Sequence, residues 1–427
     1  MSSTPERDQR AISKETILTL YLPAAIIALG TSIVAPVIPI YARSFDIGFG
    51  TASLVIVVYA LGLLVFTLPT GYLMDKLGRR PVLLTGPVIT ATCAFLTAFV
   101  TSFPQLLILR FLTGVSTVMW NHTRIAMITD SGSDRQRGKL ITWMFSLERV
   151  GMLVGPVLGG FTAAIDIRLP FIIHGILIVL ILIPSFKLVK ETAPERTGQA
   201  VAPTSGSGEW SYVFGQIFKP QVMAFFAAQF MANITRGNTV GILPLYMAFA
   251  YNASAQTLGF VSAVSTAIVL PIGFLTGFIM DRYGRKMTVV PGFAFLGVSF
   301  FLMAGSAAFA APFAVFLVTY FMVHASQGIT GGNMQVLGSD LAPRRSRGRF
   351  FAIWRLFGEG GSTISPIAFS TLTAVASYAA GFSFVGLAGL SVALIIGVLI
   401  KETVGRSAKP EPATAAPATP ERQPANS

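Results

Sequence analysis

The stretch Gly71-Tyr-Leu-Met-Asp75-Lys-Leu-Gly78-Arg79-Arg80 recurs in the second half of the chain as Gly277-Phe-Ile-Met-Asp281-Arg-Tyr-Gly284-Arg285-Lys286. Further residue pairs lie at nearly the same separation, which is about half the length of the chain. They are Asp130 and Asp340, Arg137 and Arg347, and Pro156 and Pro366. A repeat of this length predicts two structural units with the same topology.

The composition places both units in a lipid bilayer. Hydrophobic residues make up 53% of the 427 residues and charged residues 11%, whereas about 25% of a soluble protein is charged. Long segments contain no Asp, Glu, Lys or Arg, and a membrane-spanning helix needs about 20 apolar residues. These segments are 17–42, 51–74, 81–109, 237–280, 287–339 and 360–400. The composition excludes a soluble globule, and the single cysteine, Cys93, excludes a disulfide-rich fold.

Proline, glycine and charged clusters divide these segments into about twelve predicted helices, which we number span 1 to span 12. They lie near 17–42, 51–74, 81–102, 106–129, 139–165, 170–188, 221–249, 256–280, 287–309, 313–339, 350–377 and 381–400. Two repeated units in the same orientation require an even number of spans in each. We therefore expect an all-α membrane protein with two pseudo-symmetric six-helix halves.

The positive charges predict the orientation of the chain. If the amino terminus is cytoplasmic, only Arg43 and Arg168 of the 31 Lys and Arg residues fall on external loops, and five lie inside spans. The others lie in cytoplasmic segments, as the positive-inside rule requires. We predict cytoplasmic amino and carboxyl termini, and we assign the net charge of +13 to topology and lipid contact rather than to nucleic acid. The predicted divisions are a tail at 1–16, a half at 17–188, a linker at 189–220, a half at 221–400 and a disordered tail at 401–427.

Span 5 contains the glycine-rich stretch Gly151-Met-Leu-Val-Gly155-Pro156-Val-Leu-Gly159-Gly160. Glycines four residues apart allow close contact with a neighbouring helix, and the proline bends the span. With the repeated loop motif G-x-x-x-D-x-x-G-R-[RK], the chain resembles the major facilitator superfamily. The glycine-rich stretch matches every position of the antiporter motif G-x-x-x-G-P-x-x-G-G of the drug/proton antiporters in that superfamily. Ordinary packing of small residues is the alternative interpretation.

The resemblance implies a transporter that opens alternately to the two sides of the membrane. It implies that charges of the loop motif lock the cytoplasmic side in the outward-open state. The cluster would be Asp75, Arg79 and Asp130 in the first half and Asp281, Arg285 and Asp340 in the second. The alternative is that these charges serve only membrane topology.

Ionisable residues inside spans are costly, and each is therefore a candidate functional residue. Glu148 and Glu359 are the only carboxylates well inside predicted spans. Glu148 shares a helix face with the glycines of span 5 and is the first candidate for the proton-coupling site. A static ion pair with Arg110, Arg149 or Arg355 is the alternative. Glu359 follows Arg355 by one helical turn and is the more structural of the two, and Arg110 resembles the arginine that the superfamily links to proton transfer.

The remaining polar residues inside spans predict a substrate cavity, because a polar helix face does not face lipid. Two six-helix halves of this kind bind substrate in the cleft between them. Five embedded arginines against two embedded glutamates predict a positive interior. The candidate cavity residues are Thr117, Asn121, His122, Arg124, Arg149, Asn233, Arg236, Gln327, Asn333 and Arg355.

The leading functional hypothesis is a proton-coupled antiporter that exports small amphipathic compounds such as drugs. The alternative, suggested by the arginines, is an exchanger or symporter of an organic anion, a metabolite or a lipid-linked headgroup. A membrane enzyme or sensor is disfavoured, since the sequence has no G-x-x-x-x-G-K-[ST], H-E-x-x-H or G-x-S-x-G pattern. We expect no metal and no cofactor other than the proton. The expected partners are a small-molecule substrate and membrane lipids, and we expect a monomer in the inner membrane of a bacterium.

Overall fold

The computed structural model describes residues 21–130, 134–192, 207–343 and 347–402, and every regular element in these ranges is helical. The first half contains spans 1 to 6 at the positions that the sequence predicts. Span 1 is divided at Pro36, which lacks a backbone N–H and begins a second short helix. The helices are Leu22–Val34 and Val37–Arg43 (span 1), Phe49–Leu77, Arg79–Ala98, Phe103–Asp130, Asp134–Ile165 and Leu169–Leu188.

The second half repeats this arrangement after a helix, Ser207–Ile217, that lies within the predicted linker. Span 7 has a π-helical segment at Asn238–Ile242, and span 10 is divided at Gly332, whose φ of 82° is left-handed. The helices of spans 7 to 12 are Pro220–Gly237 with Leu243–Ala250, Ala255–Tyr283, Lys286–Ala308, Phe313–Thr330 with Asn333–Leu341, Arg347–Val375 and Tyr378–Leu399. The all-α fold with two six-helix halves is therefore confirmed.

Nine helices in the described ranges are long and apolar enough to cross a membrane, judged by length and composition. Spans 5, 7 and 11 fall outside this set. These are the spans that contain the embedded charges Glu148, Arg236 and Glu359. Spans 5, 7 and 11 thus combine a weak membrane signal with charged residues that the sequence analysis assigns to the cavity or to the proton site.

The loop motif makes the same turn in both halves. Gly78 follows span 2 with φ of 92°, and Gly284 follows span 8 with φ of 103°. L-residues with side chains rarely adopt this backbone conformation, so glycine is needed at both positions. The repeat in sequence is therefore a repeat in backbone geometry.

The two halves contact each other mainly at the predicted external end. Span 5 crosses span 8 where Gly160 lies so close to Ala255 that a Cβ on the glycine would stand 2.6 Å from the Ala255 carbonyl oxygen. Span 2 contacts span 11 through a hydrogen bond of 2.6 Å from the Ser370 hydroxyl to the Ser53 hydroxyl. Near the other end, a Cβ built on Gly71 would have no described heavy atom within 4 Å. These contacts close the space between the halves on the predicted external side.

Candidate substrate cavity and proton site

A cavity of about 620 Å³ lies between the halves, and spans from both halves form its walls. Its volume is typical of a site for a drug-sized molecule. Most of the wall is apolar, with a smaller number of polar and charged side chains. Of the residues predicted from the sequence, the wall includes Arg110, Thr117, Asn121, Arg124, Glu148, Asn233, Arg236 and Glu359.

Glu148 forms a buried ion pair with Arg124, and a guanidinium nitrogen of Arg124 donates a hydrogen bond to a carboxylate oxygen of Glu148. The side chain of Arg124 is 3% exposed and that of Glu148 is 12% exposed. Arg124 also lies over the ring of Trp120, with 5.4 Å from Cζ to the ring centroid. The pair joins span 4 to span 5, and the ring of Trp120 packs against its guanidinium.

The partner of Glu148 differs from the three arginines that the sequence analysis considered. Arg124 lies about four helical turns after Arg110 in span 4, so the two arginines share one face of that span. This spacing was visible in the sequence, and it was the signal that could have identified Arg124 as the partner. Which face of span 4 meets span 5, however, depends on how the helices pack.

The second carboxylate, Glu359, lies among arginines of the second half. It interacts electrostatically with Arg355, one turn earlier in span 11, and with Arg236 of span 7. Glu359 is half-buried and Arg236 is exposed to the cavity. Each half thus contributes one carboxylate to the cavity, beside at least one arginine.

Arg110 stands apart from both carboxylates. Its guanidinium lies over the ring of Tyr59, with 4.6 Å from Cζ to the ring centroid. The Tyr59 hydroxyl lies 3.4 Å from the hydroxyl of Thr117, to which it donates. The Nε atom of Arg110 is buried and has no hydrogen-bond partner among the described groups. A cation–π contact stabilises the guanidinium but does not neutralise its charge.

The glycines of the antiporter motif pack span 5 against two neighbours. Gly151, Gly155 and Gly159 face the backbone of span 1 around Leu29 and Ile33, where a Cβ on Gly151 would stand 2.8 Å from the Leu29 nitrogen. Gly160 and Pro156 instead face span 8 of the other half. The motif therefore brings together two contacts, one inside the first half and one between the halves.

Five predicted cavity residues lie outside the cavity wall: His122, Arg149, Gln327, Asn333 and Arg355. His122 and Arg149 each follow a wall residue directly in the chain, and one residue along a helix turns the side chain by about 100°. The Gln327 amide donates to the Thr239 hydroxyl at 2.8 Å, and the Asn333 amide donates to the Ile329 carbonyl at 2.8 Å. The Asn333 amide thus bridges the break in span 10, and the Gln327 amide joins span 10 to the π-helical segment of span 7.

The loop motif of the second half forms a three-residue charge cluster. The guanidinium of Arg285 contacts Asp281 at 2.8 Å and Asp340 at 3.3 Å. Burial lowers the pKa of Arg285, but the hydrogen bonds and charges of the two aspartates outweigh this effect and raise the pKa above its ordinary value. In the first half, the side chain of Asp130 lies outside the described residues.

Two further glutamates near the loop motifs were missed by the sequence analysis. The carboxylate of Glu191 accepts from the backbone N–H of Arg79 and of Arg80 at 2.9 and 3.1 Å. Glu402 accepts from the backbone N–H of Arg285 and of Lys286 at 2.9 and 3.0 Å. A carboxylate is favourable at the amino end of a helix, where N–H groups lack partners.

These glutamates tie the end of each half to the start of its third helix. The available signal was the tripeptide Lys-Glu-Thr, which occurs at 190–192 and again at 401–403. Both glutamates lie outside the spans, next to the predicted linker and tail, so the criterion of charges embedded in spans does not include them. The two contacts follow the symmetry of the repeat.

Comparison with known proteins places these features in a family. The family model described as Major Facilitator Superfamily matches residues 20–232 and 225–425. The quinolone resistance protein NorA of Staphylococcus aureus is 28% identical over 181 residues, which are 42% of this chain and 47% of NorA. The match therefore spans about half the length of that relative. The class B tetracycline resistance protein of Escherichia coli is 28% identical over 280 residues, which are 62% of this chain and 67% of the relative.

Solved structures show the same fold. A crystal structure of a D-xylose-proton symporter superposes with a TM-score of 0.72 at 18% identity, covering 91% of this chain and 98% of the symporter. The inward-open conformation of the xylose transporter XylE from E. coli superposes with a TM-score of 0.69 at 17% identity, covering 92% and 97% of the two chains. At this identity the similarity concerns the fold alone.

Proposed function

The chain belongs to the Major Facilitator Superfamily and is a multi-pass membrane transporter, and from this premise we propose that it is a proton-coupled antiporter. In this proposal it exports small amphipathic compounds by alternating access. The observation that carries the proposal is the buried pair of Arg124 and Glu148 in the wall of the cavity between the halves. An embedded carboxylate at a substrate site is the expected element of a proton relay.

The ion pair links protonation to the shape of the cavity. Ionised Glu148 accepts a hydrogen bond from Arg124 and neutralises its charge. A protonated Glu148 no longer attracts the guanidinium, so Arg124 and its contact with Trp120 are free to rearrange. Antiport requires that proton binding and substrate binding weaken each other, and a cavity wall that changes with protonation is a physical route to that coupling. Glu359 is the corresponding carboxylate of the second half.

Alternating access requires the contacts at the predicted external end to separate. The crossing of span 5 and span 8 at Gly160 and Gly259 is built from small residues, so its two surfaces separate with little loss of side-chain packing. Arg285 and its two aspartates form a charge cluster within the second half at the opposite end of the molecule, and in this proposal the cluster stabilises the alternative state. Arg79 with Asp75 and Asp130 has the same proposed role in the first half.

The named relatives support a drug-like substrate. Their names describe resistance to quinolones and to tetracycline, two classes of antibacterial compound. The antiporter motif in span 5 is complete, and its glycines make the close helix contacts that such spacing permits. We place the transporter in a bacterial cell membrane as a monomer whose only coupling ion is the proton.

The test uses inside-out membrane vesicles with an acidic interior and a fluorescent pH reporter. Wild type, Glu148→Gln and Asp166→Asn are challenged with cationic, neutral and anionic amphipathic compounds. Asp166 is an exposed carboxylate near the external end of span 5 and serves as the matched control. We expect substrate-induced proton release in wild type and Asp166→Asn but not in Glu148→Gln. Equal proton release in all three proteins would remove Glu148 from the proton path, and release in none would contradict antiport.

A further inference from the structure

Two arginines in the cavity wall form no salt bridge with any of the described acidic residues. Arg110 of span 4 contacts the ring of Tyr59, and its Nε has no hydrogen-bond partner among the described groups. Arg236 of span 7 interacts electrostatically with Glu359, which it shares with Arg355. Neither Arg110 nor Arg236 forms a salt bridge within the described ranges, in contrast to Arg124. The cavity therefore has an excess of positive charge, contributed by both halves.

The polar groups around these arginines do not supply the missing partner. The hydroxyls of Thr113 and Thr117 each donate to a carbonyl of their own helix at 2.7 Å. The amide of Asn233 likewise donates to the carbonyl of Gln229 at 2.9 Å. Hydrogen bonds within a helix leave the guanidinium groups as the strongest donors that face the cavity. A guanidinium without a salt bridge is costly inside a membrane protein, so a ligand that pairs with it gains binding free energy.

The rest of the cavity wall determines which kind of molecular body carries the charged group of such a ligand. Ile56, Leu63, Trp120, Met152 and Phe171 contribute apolar surface to the same cavity. Apolar surface of this kind binds an aliphatic or aromatic body, and the guanidinium groups orient a charged end. The volume of about 620 Å³ accommodates both parts of one molecule.

We infer that the substrate is an amphipathic carboxylate, whose oxyanion binds Arg110 and Arg236 and whose apolar body packs against the surrounding wall. The inference rests on the proposed function in so far as this cavity is the transport site. Arg110 belongs to the first half and Arg236 to the second, so the oxyanion connects the two halves by charge-assisted hydrogen bonds. The charge of the substrate is thereby part of a contact between the two halves, and this contact changes during alternating access.

The test measures binding to the purified full-length protein by isothermal titration calorimetry. The probes are naphthylacetate, its neutral amide and the corresponding naphthylethylamine, which share an aromatic body and differ in charge. The proteins are wild type, Arg110→Gln, Arg236→Gln and the control Arg168→Gln, in which the arginine is exposed on an external loop. Repetition of the wild-type titration at high salt gives a second measurement that needs no variant.

We expect the carboxylate to bind wild type at least about tenfold more tightly than the amide, because each strong hydrogen bond to a charged group contributes about that factor. Arg110→Gln and Arg236→Gln should each remove most of this preference, and Arg168→Gln should keep it. High salt should weaken binding of the carboxylate and leave that of the amide unchanged. A carboxylate that binds wild type no better than the amide, or not at all, would overturn the inference.

The outcome is separate from that of the vesicle experiment. Calorimetry detects the charge preference of the cavity and is insensitive to proton movement. A preference for the carboxylate together with an absence of substrate-induced proton release would retain the inference and refute antiport. Proton release driven only by cations, without a carboxylate preference, would retain antiport and refute the inference.

Discussion

Replacement of Glu148 by glutamine should destabilise the protein through Arg124, and a second replacement at Arg124 should restore most of the loss. The glutamine side chain has the same size but leaves Arg124, which is 3% exposed, without an opposite charge. Removal of one partner of a buried ion pair costs about 3–5 kcal/mol, whereas replacement of both partners is often close to neutral. The glutamine amide still accepts one hydrogen bond, so we expect a loss at the lower end of this range, about 3 kcal/mol, for Glu148→Gln.

The pair lies within one half of the molecule, and in a domain of 150–250 residues 1 kcal/mol corresponds to about 2–4 °C in Tm. We therefore expect the Tm of Glu148→Gln to fall by about 6–12 °C. The Tm of Arg124→Gln/Glu148→Gln should lie within about 4 °C of wild type. Purified protein in detergent is heated at one fixed rate while tryptophan fluorescence is recorded, since unfolding of such proteins is generally irreversible.

The single variant Arg124→Gln completes the cycle and has a distinct signature. It leaves Glu148 buried without a cation, but a carboxylate can take up a proton and become neutral, whereas an arginine retains its charge. The loss in Tm should therefore shrink in acidic buffer for Arg124→Gln and persist for Glu148→Gln. Additive losses in the double variant, or an unchanged Tm in Glu148→Gln, would refute the assignment of a coupled buried pair.

Two further predictions concern the contacts between and within the halves. In a Cys93→Ala background, the double variant Ser53→Cys/Ser370→Cys should form a disulfide on oxidation, because the two hydroxyls are 2.6 Å apart. Transport should stop after oxidation and should return when a reductant is added. Transport that persists despite a verified cross-link would contradict the proposal that the external contacts between the halves open during transport. Gly159→Ala should sharply lower the yield of folded protein, since its Cβ would overlap the backbone of span 1. The control Gly71→Ala has free space around its Cβ and should fold at least as well as wild type. The yields are compared as the monodisperse fraction in size-exclusion chromatography, and equal yields would contradict a close contact between Gly159 and span 1.

The architecture could be predicted from the sequence because its determinants are local or repeated. A segment of about 20 apolar residues without charges is predicted to span the membrane, and this prediction needs only the sequence of that segment. The repeated loop motif shows that two halves share one topology, and the left-handed φ of Gly78 and Gly284 follows from the same pattern. The glycines of span 5 likewise indicate a close helix contact, though not which helix they contact.

The partners of the charged residues depended on the tertiary structure. The sequence analysis considered three partners for Glu148, and the actual partner is Arg124, on a neighbouring span 24 residues away. His122 and Arg149 lie in the correct spans but outside the cavity wall. A helix turns about 100° per residue, so a small uncertainty in rotation changes which side chains meet.

The sequence by itself determined that this chain is a helical membrane protein with two repeated halves and carboxylates embedded in spans 5 and 11. Only the tertiary structure decided that Glu148 pairs with Arg124, that Glu191 and Glu402 bind the starts of spans 3 and 9, and that Arg110 keeps no acidic partner among the described residues. The physical reason is the range of the interactions. Hydrophobicity and turn geometry act over neighbouring residues, whereas ion pairs join residues that only the packing and rotation of whole helices bring together.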